Sequence, residues 1–150
     1  MSPDLIRILI TASLLLHGVA HAKAFFALLG DAATSGTRTA VPVRAWIAPS
    51  LSPRAAALLA APFWLVSALG FINASLTFWG ILPSGDDWRQ MAIVPAIISS
   101  VGIVLFSGIW PGAPSRKLSL LDTAIGLVVN AAILALLLGV GWPPQSLFGR

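Results

Sequence analysis

The residues of this chain best suited to chemistry are its two histidines, His17 and His21. They stand in the run Leu14-Leu15-Leu16-His17-Gly18-Val19-Ala20-His21-Ala22-Lys23. Four residues apart on a helix, they share one face, with Cβ atoms about 5–6 Å apart. An ionisable group inside an apolar span is costly and marks a functional-site hypothesis. Such a pair could chelate a soft or borderline metal, and either ring could be an axial haem ligand. A neutral imidazole could instead exchange a proton with a quinone carbonyl. The same two residues could also serve only to hydrogen-bond neighbouring helices. A metal needs a third or fourth ligand, yet the chain has no further histidine, and Asp4 and Asp31 lie toward the ends of the same segment. Two ligands on adjacent turns of one helix cannot be coaxial, which removes a bis-histidine haem. A quinone is therefore the cofactor the pattern suits best, with haem or a metal as rivals. Gly18, between the two rings, leaves a flat place where a planar group could approach.

Other polar groups fall deep in apolar sequence: Asn73 with Ser75 and Thr77, then Ser99 and Ser100, then Asn130. An asparagine facing lipid is expensive, so Asn73 and Asn130 are expected to face the protein interior. There they join helices through hydrogen bonds, or converge with His17, His21 and Gly18 into a ligand pocket. Lys23 and Asp122 are expected at similar depth and could form an electrostatic clasp. No set of catalytic residues emerges. No serine sits in a nucleophile elbow, and no glycine-rich phosphate loop occurs. The absence of cysteine removes disulfides, thiolate metal sites and cysteine nucleophiles together. Asp86-Asp87 reads as an N-cap that places negative charge at a helix start.

The elements that must position these groups follow from composition. Of 150 residues, 57% are apolar and 9% charged, with a mean hydropathy of +0.92. A soluble domain carries about 25% charged residues. Nine bases against five acids raise the pI to 11.3, but they are too few and too scattered for a nucleic-acid surface. One membrane domain is expected over residues 1–150. Four apolar stretches can cross a hydrocarbon core, which takes roughly 20 helical residues: about Leu5 to Leu29, Ala55 to Leu82, Met91 to Trp110, and Leu118 to Val140. The runs do not alternate, so helices are predicted and a barrel is not. Short connections at 83–90 and 111–117 make the last three spans an up-down-up array, and an all-α four-helix transmembrane bundle closes it. Pro62 and Pro95 should kink the second and third spans.

Small residues recur at four-residue spacing, as Gly70 and Ala74 and as Ala131, Ala135 and Gly139. Such rows pack helices within a bundle or form a homo-oligomer or partner face. In the long loop, 30–53, the segment 41–49 carries Trp46 between two prolines. It should lie against the bilayer or cover one end of the bundle. Residues 1–22 also resemble an export signal, with Arg7, an apolar core and Ala20-His21-Ala22. Apolar sequence continues to Leu29, so a membrane span is the expectation. Arg7, Arg89 and Arg150 fall on one side, against Lys23, Arg38, Arg44, Arg54, Arg116 and Lys117 on the other. The positive-inside rule then puts the long loop in the cytoplasm and both termini outside. Trp79, Trp88 and Trp142 would anchor the outer boundary, and Trp110 the inner one.

The first span resembles the opening of DoxX-like membrane proteins: Arg7, an apolar run, His17-Gly18, His21 and the aromatic Phe25. The stretch Pro62-Phe63-Trp64-Leu65-Val66-Ser67-Ala68-Leu69-Gly70 resembles that family's second span. Where the family commonly has Lys, this chain has His21, with Lys23 two positions on, and its second span lacks the family's Glu. The resemblance implies a four-helix bundle and an association with quinone-linked membrane redox systems. The combined expectation is a small protein of a bacterial-type inner membrane, an accessory subunit or binder of a lipophilic molecule such as a quinone. Its rivals are a membrane redox enzyme with a cofactor or metal at His17 and His21, and a small transporter.

Overall fold

A computed structural model describes residues 2–34, 42–82, 87–106 and 110–144. Four helices run through the described residues: α1 (Pro3–Ala33), α2 (Pro53–Trp79), α3 (Trp88–Leu105) and α4 (Arg116–Leu134). The last runs directly into a π-helical segment, Ala135–Val140. All four are long and apolar enough to cross a bilayer. The protein is an all-α integral membrane protein, and its outer surface is in contact with lipid.

Local chemistry sets the helix ends. Ser2, Ser52 and Ser115 each cap the helix that follows, accepting from the N–H of Leu5, Ala55 and Leu118 at 3.3, 3.2 and 3.3 Å. Pro3 and Pro53 occupy first helical positions, where the missing N–H costs nothing. α2 stops at Trp79, three residues before the expected end, because Gly80 turns left-handed at φ 84°. α1 runs four residues past Leu29, closed by Thr34 Oγ1 donating to the Gly30 carbonyl at 2.9 Å. α3 is displaced toward the N-terminus: it starts at Trp88 and ends at Leu105, not Trp110. Its last carbonyls are taken from outside the helix. Trp46 donates its backbone N–H to Leu105 O at 3.3 Å and its indole N–H to Val104 O. The segment around Trp46 thus covers one end of the bundle, with Val43 and Ala45 buried beneath it. Asp87 stands at the N-cap of α3 but makes no side-chain cap bond, and Asp86 lies outside the described residues.

Packing is serial, α1 on α2, α2 on α3 and α3 on α4. Glycines set the crossings. A Cβ on Gly18 would lie 2.8 Å from Ile72 Cγ1 and 3.2 Å from the Ala68 carbonyl oxygen, so α1 and α2 meet nearly backbone to backbone there. Gly70 seats Pro95, and Gly102 seats Phe63. The flat place expected at Gly18 is therefore filled by Ile72 of α2. The interior has two apolar layers. One holds Leu28, Ala60, Trp64, Ile103 and Trp110, toward the end covered by Trp46 (the Trp46 end). The other holds Leu14, Phe71, Ala92 and Ala96, toward the start of α3 (the Trp88 end). The histidines lie between these layers.

Candidate functional site

A polar layer crosses the bundle near its middle. His17 is one residue from the midpoint of α1, and Asn130 is two from the midpoint of the continuous Arg116–Val140 helix. His17 Nε2 donates to Asn130 Oδ1 at 2.9 Å, across 113 residues of sequence. The Asn130 amide nitrogen donates to Ser99 Oγ at 2.9 Å and to Ser100 Oγ at 3.2 Å. Ser100 passes its own hydrogen to the Ala96 carbonyl at 2.8 Å. Ser99 Oγ, already accepting from Asn130, lies 3.1 Å from His21 Nε2. The Ser99 hydroxyl and the His21 ring are hydrogen-bonded there, with the donor set by the His21 tautomer. His21 Nδ1 is buried, with no hydrogen-bond partner among the described residues. One connected chain therefore joins α1, α4 and α3, running from His17 to Asn130, Ser99 and His21.

Aromatic rings enclose the layer. His17 meets His21 edge-on with centroids 4.8 Å apart, and its other side meets Phe71 at 4.6 Å. Phe71 stacks on His21 at 5.7 Å, and Trp110 approaches that ring at 4.9 Å. The two Nε2 atoms point to different partners, so the rings serve two ends of a hydrogen-bond chain and do not converge on one point. Among the described residues, no group of three or more His, Cys, Asp or Glu side chains comes together.

Of the groups expected to converge, Asn130 does and Asn73 does not. The inward face of α2 carries Trp64, Ser67, Ala68, Phe71, Ala74 and Ser75. Asn73 is two residues beyond Phe71, roughly 200° round the helix, and is exposed on the outer surface. Ser75 takes the inward position instead and donates to the Thr11 carbonyl at 3.0 Å. Gly18 is a crossing point. Lys23 and Asp122 are both exposed on outward faces, and no ion pair joins them; each is displaced from an inward neighbour, His21 and Thr123. The same geometry governs Ala131, Ala135 and Gly139. α4 points Ser119, Thr123, Gly126 and Asn130 inward, leaving the small-residue row exposed, with nothing within 4 Å of a Cβ at Gly139. That row does not pack this bundle.

Trp110 and Trp88, expected at the membrane boundaries, are both buried against neighbouring side chains. Trp110 lies against His21, over Gly126, where an added Cβ would come within 2.7 Å of its ring. Trp88 lies against Phe78, with centroids 4.6 Å apart. The signal for Trp110 was Gly126, sixteen residues on, whose missing side chain makes room for an indole. Ser99 and Ser100 were visible as polar groups at depth, but their partner was not.

Alongside the polar layer and extending toward the Trp88 end lies a cavity of about 360 Å³ between α1 and α4. Leu9 and Leu14 of α1, Ala92 of α3, and Ile133 and Leu137 of α4 and its π-segment form its walls. Ser13 is the one hydroxyl-bearing residue lining it among the described residues. Trp88, Trp142 and Pro143 line it at the Trp88 end. Arg89 fixes that end, donating to the Gly141 carbonyl at 3.1 Å and to the Pro143 carbonyl. The π-segment ends at Gly141, φ 66°, with Trp142 N–H bonded to Leu136 O at 2.9 Å. This returning turn folds Trp142 back over the cavity.

Comparison of the chain with protein-family models, with curated proteins and with solved structures gives no match.

Proposed function

We propose that this integral membrane protein is a non-catalytic, accessory component that holds a lipophilic molecule, such as an isoprenoid quinone, between α1 and α4. The observation that carries this reading is the apolar cavity of about 360 Å³, within the size range of pockets that bury small ligands. The first and last helices do not close on each other along this length. Lipophiles dissolved in the bilayer can reach such a gap laterally. The resemblance of the first span to DoxX-like proteins supports the same choice. The histidine layer supports a structural role for His17 and His21, since both Nε2 atoms are occupied by protein partners. In this reading Asn130 and Ser99 tie α1 to α4 and α3 beneath the cavity.

Filling the cavity is the direct test. Ala132→Trp, on the α4 wall, is expected to remove lipophile that co-purifies with the wild-type protein in detergent, as measured by extraction and mass spectrometry. Equal lipophile in variant and wild type would overturn the proposal. The rival redox enzyme predicts a Soret band, or stoichiometric metal lost in a His17→Ala/His21→Ala variant.

We further propose a bacterial-type inner membrane, with the Trp46 end in the cytoplasm. Arg44, Arg54, Arg116 and Lys117 gather at that end and are exposed, in keeping with the excess of bases in cytoplasmic loops. The chain has no cysteine, so single-cysteine variants report sidedness cleanly. Ser2→Cys should react with a membrane-impermeant maleimide added to intact cells, and Ser50→Cys only after lysis. The opposite pattern would reverse the orientation.

A further inference from the structure

The depth of the cavity matches one leaflet. Its α4 wall runs from Val129 to Leu137, about 12 Å of helix at roughly 1.5 Å per residue. Half of a bilayer's hydrocarbon core is about 15 Å. Leu14 and Val129 line the deep end. His17 lies one turn beyond it on α1, while Asn130 stands level with it on α4, turned toward the bundle interior. This polar layer offers nothing to a headgroup. His17, Asn130 and Ser99 are bonded to one another, and neither histidine nor Asn130 lines the cavity. A carbonyl or phosphate driven to this depth would lose its water and find only the Ser13 hydroxyl as a partner. The Trp88 end differs in character. Trp88 and Trp142 line it, and the Arg89 guanidinium lies over the Trp88 ring at 5.8 Å. Tryptophan and arginine favour the level of lipid headgroups.

Resting on the lipophile-binding reading above, we infer that the cavity takes one acyl chain of a phospholipid from the leaflet at the Trp88 end. The chain enters tail first, and its headgroup stays at the boundary beside Trp142 and Arg89. The walls offer dispersion contacts and shape, which a hydrocarbon chain satisfies along its whole length. The contrast between the two ends, with Leu14 and Val129 at the deep end and Trp88, Trp142 and Arg89 at the other, sets the direction. A ring-bearing lipophile held in the same way keeps its ring at the Trp88 end, out of reach of His17.

The test uses the full chain reconstituted in phosphatidylcholine vesicles. The probe is phosphatidylcholine with a photoactivatable diazirine on one acyl chain, placed either beside the headgroup or at the chain tip. Crosslinked residues are located by peptide mass spectrometry. The tip probe is expected on Leu14, Val129 or Ile133, and the head-proximal probe on Trp88, Trp142 or Pro143. Ala132→Trp should abolish both sets and Ala132→Leu should weaken them, whereas Ala131→Trp on the outer face should leave them intact. Inverted depths overturn the tail-first site, as does labelling by both probes spread evenly over outward residues such as Val128 and Leu138. Inverted depths that still vanish in Ala132→Trp remove the pose alone. Crosslinks and co-purified lipophile both unchanged in Ala132→Trp remove lipophile binding itself.

Discussion

Asn130→Ala is expected to destabilise the folded bundle by about 2–3 kcal/mol, more than any other truncation in the polar layer. Interhelical hydrogen bonds in membranes average about 0.6 kcal/mol, while a buried group left without its partner costs about 1–3 kcal/mol. Asn130 makes three bonds at once, to His17, Ser99 and Ser100. Its removal strands His17 Nε2 at the middle of the bundle and unties α1 from α4. Ser100→Ala should cost far less, because it loses one of Asn130's donor contacts and a bond to the Ala96 carbonyl within its own helix. Equilibrium unfolding in mixed micelles measures both. A His17→Ala/Asn130→Ala cycle should return a coupling no larger than about 1.7 kcal/mol, the upper end found for such pairs. Equal stability of Asn130→Ala and wild type would show that the layer carries no load.

Gly18→Val should be comparably damaging for a different reason. The first added carbon alone would meet Ile72 Cγ1 at 2.8 Å, the Ile72 backbone nitrogen at 3.1 Å and the Ala68 carbonyl oxygen at 3.2 Å. The last two are backbone atoms and cannot turn aside, so α1 must move away from α2. Overpacking of this kind costs about 1–3 kcal/mol and occasionally more. The displacement also shifts His17, so stability and the polar layer should fail together. Gly30, in the same helix, provides the contrast. Nothing lies within 4 Å of a Cβ placed there, and Gly30→Ala should raise stability by up to about 1 kcal/mol through helix propensity. The same unfolding assay reads both. If Gly18→Val unfolds like Gly30→Ala, the crossing is looser than described.

How much of this was legible in the sequence depended on the range of the interaction. The starts of α1, α2 and α4 lie two residues before the expected Leu5, Ala55 and Leu118, because apolar runs mark them locally; the caps Ser2, Ser52 and Ser115 and the stop at Gly80 emerged only in the structure. The midplane position of His17 and Asn130 followed from counting residues along apolar runs. The direction in which Asn73, Lys23 and Asp122 point did not. A span apolar all round gives little periodic signal to distinguish its inward face. That face was set by Gly18, Gly70 and Gly102, which decide where helices touch. The early end of α3 was also hidden, since its carbonyls are satisfied by Trp46, some 60 residues earlier in sequence.

By itself, the sequence determined the solvent, the number of crossings and the depth of each polar group. Those properties are sums over short stretches: hydropathy and length. The tertiary structure alone decided that His17, Asn130, Ser99 and His21 form one chain, that Asn73 faces outward, and that a cavity remains between α1 and α4. Each depends on the rotation of one helix against another. A rotation of roughly 100°, one residue's worth, exchanges a buried partner for a lipid-facing one while leaving composition and hydropathy unchanged.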